Sequence, residues 1–175
     1  IEWNGLDDVV IGHMGGYGIV NVDGTFKSNQ LRMGSWTDTA SGTINVNSGG
    51  QLILGPGLIK IGDVGIGIIN LNGTMEVKDP NSGEDNLVMN AQGLIDIGFE
   101  GVLTLTGDHK SLIDGYIASG KIRGNGMIGG VVATLVGGNT VVSYQVPVQP
   151  PMSLQRGVTF DRQFHQIPVE SYNVI

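Results

Sequence analysis

Short runs of alternating apolar and polar residues, separated by glycine, recur along the chain. The first element of the pattern is "VVIG" ending at Gly12, "LRMG" at Gly34, "IKIG" at Gly62 and "LVMN" at Asn90, with a weaker "LIDG" at Gly115. Successive copies lie 22, 28, 28 and 25 residues apart. A second element follows each: "GIVNV" (18–22), "GTINV" (42–46), "GIINL" (67–71), "GLIDI" (93–97) and "GKIRG" (120–124). A third follows four of them, at 25–27, 51–54, 74–77 and 102–105.

Three short strands per repeat of this length make one coil of a β-solenoid, in which each strand pairs in parallel with its equivalent one coil later. Side chains alternate between the two sides of a strand, so alternate residues point inward. Val20/Val22, Ile44/Val46, Ile69/Leu71 and Ile95/Ile97 form one expected interior set. Val9/Ile11, Leu31/Met33, Ile59/Ile61 and Leu87/Met89 form another. Glycines take the corners, where the chain turns sharply. Helical spacing matches poorly, because no apolar face recurs at i, i+3, i+4 over a long window. An antiparallel sandwich is the alternative, but nothing in it requires equivalent strands at a near-constant period. The expected fold is all-β: a single-stranded parallel β-helix of about five coils with an extended C-terminal tail. Residues 1–8 are read as an N-terminal cap, 9–130 as solenoid, 131–146 as degenerate terminal strands turned at 137–139, and 147–175 as a proline-containing linker and docking tail.

Composition narrows the partners. Charged residues are 14% of the chain and hydrophobic ones 40%, which disfavours disorder. The net charge of −7 argues against nucleic acid or an anionic membrane as partner. No apolar run approaches the ~18 residues of a membrane span. With no cysteine, no disulfide forms. The chain starts at Ile1 without a methionine or signal-like segment, which fits a processed secreted protein or equally a piece of a larger chain.

The units "IGHMGGYGIVNVDG" (11–24) and "IGDVGIGIINLNG" (61–73) resemble the "IGxxGGxGxxNVxG" repeats of large secreted bacterial surface proteins of the adhesin and autotransporter kind. "YIASGKIRGNGMIGG" (116–130) is similar to the end of such an array. The resemblance covers roughly residues 9–130. It implies a right-handed β-helix, an extracellular or cell-surface location, and service as a stalk, an adhesin body or a module beside carbohydrate-active domains. It brings no catalytic residues.

The ends carry their own signals. Trp3, in "IEWNGLDD", is placed to cover the apolar end of the first coil. "PVQPP" (147–151) reads as extended, since proline cannot donate to a central ladder. The tail beyond it contains Val158, Phe160, Phe164, Ile167, Val169 and Tyr172, partly at period-two spacing, and should seek a surface to dock on. That surface is either its own solenoid or a neighbouring subunit, the latter giving a head-to-tail homopolymer.

Candidate chemistry lies on the outer faces. Asn21, Asn45, Asn70, Asp96 and Arg123 occupy one outward row; amides cannot act as general acid or base, and stacked asparagines commonly bond along a solenoid. Arg32 and Lys60 fall in consecutive coils and are candidates for a carboxylate or sulfate. The corner after the first strand carries His13, Tyr17, Trp36, Asp38, Asp63, Gln92 and Tyr116. Aromatic rings beside polar groups suit stacking on a polysaccharide, and Tyr17, Trp36 and Tyr116 are the candidates. Asp79, Asn81 and Asp85 in "DPNSGED" space oxygens as some calcium loops do, without the full twelve-residue loop or its terminal Glu. No other cofactor is expected. The functional expectation is a non-enzymatic extracellular structural protein, a β-solenoid subunit of a surface or filamentous assembly. The alternatives are a carbohydrate-binding module or adhesin domain and, third, a polysaccharide lyase or hydrolase.

Overall fold

The computed structural model of the chain describes residues 8–78 and 86–146. Four complete coils stand in it, each of three strands. Coil one is β1 (Asp8–His13), β2 (Tyr17–Val22) and β3 (Thr25–Ser28); coil two is β4 (Gln30–Ser35), β5 (Ser41–Val46) and β6 (Gln51–Leu54). Coil three is β7 (Ile59–Ile61), β8 (Ile66–Leu71) and β9 (Thr74–Val77); coil four is β10 (Leu87–Met89), β11 (Gly93–Ile97) and β12 (Val102–Leu105). A partial fifth follows: helix α1 (Lys110–Ala118), β13 (Ile122–Gly124), then the hairpin β14 (Val131–Val136) and β15 (Asn139–Tyr144).

Equivalent strands pair in parallel and form three faces: a first sheet β1-β4-β7-β10, a second β2-β5-β8-β11-β13, and a third β3-β6-β9-β12-β15-β14. The protein is thus a parallel β-solenoid, as the repeat spacing predicts. The interior rows are in register. Val20, Ile44, Ile69, Ile95 and Ile122 stack through the second sheet, and from Ile44 onward each is fully buried. Phe26, Leu52, Met75, Leu103 and Val142 do the same in the third. Burying apolar side chains against equivalents above and below is what holds coils together, at about 25 cal/mol per Å² of apolar area removed from water.

One corner explains the glycine. Gly12, Gly34 and Gly62 close the first strand of their coils at φ +70°, +62° and +68°. A Cβ at Gly34 would lie 2.4 Å from the Ile66 carbonyl oxygen of the coil above. Left-handed backbone and close coil stacking coincide there, and only glycine satisfies both.

The fifth coil departs from the repeat. "LIDG" does not form a first strand; it lies within α1. Ile113, Tyr116 and Ile117 share the i, i+3, i+4 spacing of one helix face and pack on the core, so helical periodicity overrides the period-two match. Helix and hairpin close this end of the column. The outer edge of β10 finds its partners in side chains rather than in a fifth strand. The Tyr116 hydroxyl accepts from the Met89 amide at 3.2 Å and donates to the Leu87 carbonyl at 3.2 Å. Lys121 Nζ donates to the Met89 carbonyl at 2.6 Å. β15 runs antiparallel to β12 and covers its edge, with Thr140 Oγ1 donating to the Gly107 carbonyl at 3.1 Å.

The opposite end is different. Among the described residues, β1, β2 and β3 are the outermost strands of their sheets. Their inward side chains Val9, Val20 and Phe26 are only partly buried, whereas the coil-two equivalents Leu31, Ile44 and Leu52 are fully buried. The expected cap at 1–8, including Trp3, falls almost wholly outside the described residues.

Candidate functional site

The outward row of the second sheet spends its polar groups on itself. Asn45 Nδ2 donates to Asn21 Oδ1 at 2.7 Å, and Asn70 Nδ2 to Asn45 Oδ1 at 2.8 Å. Asp96 takes Arg123 Nε at 3.0 Å on one oxygen and the Gly126 amide at 2.9 Å on the other. A parallel ladder at the next corner adds Asn47 Nδ2 to Asp23 Oδ1 at 2.6 Å. Parallel, in-register strands about 4.8 Å apart set like residues side by side, which is why one Asn per coil becomes a chain of amide bonds. A groove of about 240 Å³ runs beside the row, lined by Asn70, Asn72, Asp96, Gly98, Asn125 and Gly126.

The basic pair is adjacent, since Arg32 and Lys60 face each other across β4 and β7. Lys60 Nζ is 3.0 Å from Asp63 Oδ1, and Asp63 also accepts from Ser35 Oγ at 3.3 Å. Asp63 therefore belongs to this cation and not to the aromatic corner. Arg32 Nε is shielded from solvent and makes no hydrogen bond. Val10 and Val88 flank the pair in the same row.

The corner beside coils one and two does gather aromatic side chains. A tight turn joins β1 to β2, with the Gly16 amide donating to the His13 carbonyl at 2.8 Å, Met14 at φ +51° and Gly15 at φ +79°. Trp36, itself at φ +80°, lies edge-on to the His13 ring with centroids 5.4 Å apart. Trp36 is 62% exposed and Tyr17 is 72% exposed. A non-glycine residue at positive φ costs about 1–3 kcal/mol and tends to occur where a side chain is being aimed. Asp38 is exposed in the same loop, beside Thr37 and Thr39, whose hydroxyls lie 3.3 Å apart.

Tyr116 does not join this patch. It sits on α1 in the fifth coil, with its hydroxyl bonded to β10 and Lys121 Nζ 5.5 Å from its ring centroid. Gln92 is likewise two coils away from Trp36. It helps line a groove of about 360 Å³, polar and apolar in equal measure, with Ile66, Ile68, Leu94 and Lys121. Sequence reasoning overlooked the apolar neighbours of the corner: Met14, Val64 and Ile66 are exposed and continue the ridge into coil three. The signal for Met14 and Val64 was available, since an apolar residue stands two positions after each corner glycine, as Trp36 does after Gly34. The edge-to-face pair Phe99 and Tyr144, 4.8 Å between centroids, carries no such signal because its members are distant in sequence.

Asp79, Asn81 and Asp85 lie outside the described residues, as do Val158, Phe160, Phe164, Ile167, Val169 and Tyr172. Among the described residues no group of three or more His, Asp or Glu is placed to hold a metal, and no helix is long and apolar enough to cross a membrane.

Fold and faces define a β-solenoid with an aromatic ridge at one corner and a self-bonded amide row on a neighbouring face. No protein-family model, no curated protein and no solved structure matches the chain.

Proposed function

We propose that the chain is a non-enzymatic structural module, a β-solenoid spacer of an extracellular or cell-surface assembly that presents its lateral faces. The observation that carries this reading is the unbroken column: in-register parallel strands in three sheets with fully buried aliphatic rows from coil two to coil four. Each coil bonds only to its neighbours, so bending requires several ladders to open together. The amide row adds side-chain bonds along the same axis. Its asparagines bond to one another and cannot act as general acid or base, which suits reinforcement better than proton transfer.

Direct stacking of one copy on another is disfavoured by the two ends. It would bring the Asn21 amide donors toward the Arg123 guanidinium, donor against donor, with α1 standing where a first-sheet strand would have to pair.

The competing reading, a carbohydrate-binding module, rests on the exposed Tyr17 and Trp36 rings. The two separate on a glycan array combined with turnover assays on uronate polymers. The spacer reading expects neither saturable binding nor product. Saturable binding lost in Tyr17→Ala and Trp36→Ala would replace it with the sugar-binding reading, and released product would replace it with the enzyme.

A further inference from the structure

The outward face of the second sheet is built unlike a face made only for water. Alternation points every second residue of β2, β5, β8, β11 and β13 away from the interior. One outward row runs through Tyr17, Ser41 and Ile66, and the next through Ile19, Thr43, Ile68 and Leu94. The third is the amide row that ends in Asp96 and Arg123. Tyr17, Ile19 and Ile66 are exposed, and Ile68 and Leu94 are half-buried. An apolar patch bordered by a polar row marks a surface that meets another macromolecule.

Charge and shape identify that macromolecule as a second copy of the chain. The charged side chains of the face, Asp96, Lys121 and Arg123, lie in coils four and five, and the outward positions of β2, β5 and β8 are uncharged. Inverting one column on another about a two-fold axis along β8 sets coil five over coil one. Lys121 then meets Ile19 of the second copy, Arg123 meets the Asn21 side-chain carbonyl and Asp96 meets the Asn45 amide, so no like charges oppose. Columns packed in the same direction would set Lys121 on Lys121.

The groove of about 360 Å³ on this face supplies the shape. Ile66, Ile68, Leu94, Ser119, Gly120 and Lys121 line it across coils three to five. Counting the register back from β13 puts Ser119 in the row of Tyr17, so a small residue stands at one end of that row and an exposed ring at the other. The same inversion carries each Tyr17 into the groove of the other copy, a contact that the two-fold makes twice. A tyrosine ring in a partly apolar pocket is a common interface anchor. We propose that this face is a homodimer interface, with columns packed in opposite directions, Ile68 on Ile68 at its centre and each Tyr17 seated in the other copy's groove.

Size sets the strength. The face is about 24 Å along the column and about 20 Å across. Two copies bury on the order of 1,000 Å² in total, the low end for specific complexes. The dimer is therefore reversible, with a Kd on the order of 10 µM.

The test follows the light-scattering mass of the full chain from about 1 to about 300 µM. We expect the mass to rise from one chain to two and to stop there. Ile68→Lys and Ile68→Asp each set like charges on the axis and should stay monomeric, while Tyr17→Ala raises the Kd at least about tenfold. An equimolar mixture of the two Ile68 variants should dimerise again, which also shows that both are folded. The chain has no cysteine, so Thr43→Cys mixed with Leu94→Cys reads the direction: the disulfide should join the two variants in preference to either with itself. A full chain that is monomeric throughout overturns the proposal and leaves the face to a different partner. A dimer that Ile68→Lys leaves intact overturns it as well, as does mass that grows past two chains, which would show an open assembly. Cross-linking of Thr43→Cys with itself would replace it with columns packed in the same direction. The spacer reading stands or falls separately, on the glycan and turnover assays.

Discussion

The stacking energy of the column should depend on the coil in which a residue sits, and one interior row isolates that dependence. Ile69 is fully buried in coil three, between Ile44 below and Ile95 above. Val20 occupies the same row in coil one, with Ile44 on one side only, and is partly exposed. Ile69→Ala removes three carbons, about 2.4 kcal/mol of transfer free energy at ~0.8 kcal/mol each. A rigid column cannot collapse around the hole, so a cavity contribution brings the total to about 3–4 kcal/mol. Val20→Ala removes two carbons, about 1.6 kcal/mol if fully buried, and partial exposure lowers this to about 1 kcal/mol. Urea unfolding followed by far-UV circular dichroism gives both, with the midpoint shifting and the slope constant. A Val20→Ala cost equal to or greater than that of Ile69→Ala would refute the reasoning, since it would mean the first coil is packed as tightly as the third. A change in slope for Ile69→Ala would instead show the array melting in parts, as long repeat arrays can.

Other consequences follow from single contacts. Gly34→Ala places a Cβ 2.4 Å from the Ile66 carbonyl at φ +62°, and should cost more than about 3 kcal/mol or abolish soluble expression. Gly115→Ala, within α1 and with open space around its Cβ, should raise the urea midpoint by the equivalent of about 0.5–1 kcal/mol. Tyr116→Phe strips the Met89 amide and Leu87 carbonyl of their partner; we expect a loss of about 1–3 kcal/mol and faster exchange of the Met89 amide, with Ile69 unaffected. Asn45→Asp keeps the acceptor for Asn70 but loses the donor to Asn21, and a loss of about 1–2 kcal/mol in urea unfolding is expected, against little change for Asn21→Asp at the ladder's exposed end.

Much of this molecule was legible in its sequence, because a solenoid turns sequence period directly into spatial neighbours. The spacing of "VVIG", "LRMG", "IKIG" and "LVMN" determined the coil length, and alternation within each run determined the interior rows. The same register placed Asn21, Asn45 and Asn70 side by side and made Arg32 and Lys60 neighbours. Glycine at the recurrent corner marked the left-handed turn.

What the sequence could not decide lies where the repeat stops. "LIDG" matches the strand motif locally, yet Ile113, Tyr116 and Ile117 gain more by burying a helical face over the end of the column. Tyr116 moves with that helix, away from Tyr17 and Trp36, and its hydroxyl serves the edge of β10. The pairing of Phe99 with Tyr144 and the antiparallel seat of β15 on β12 likewise join residues far apart in the chain. Within the coils a residue's neighbours are set by the period. At the ends they are set by which surface remains uncovered, and only the tertiary structure decides that.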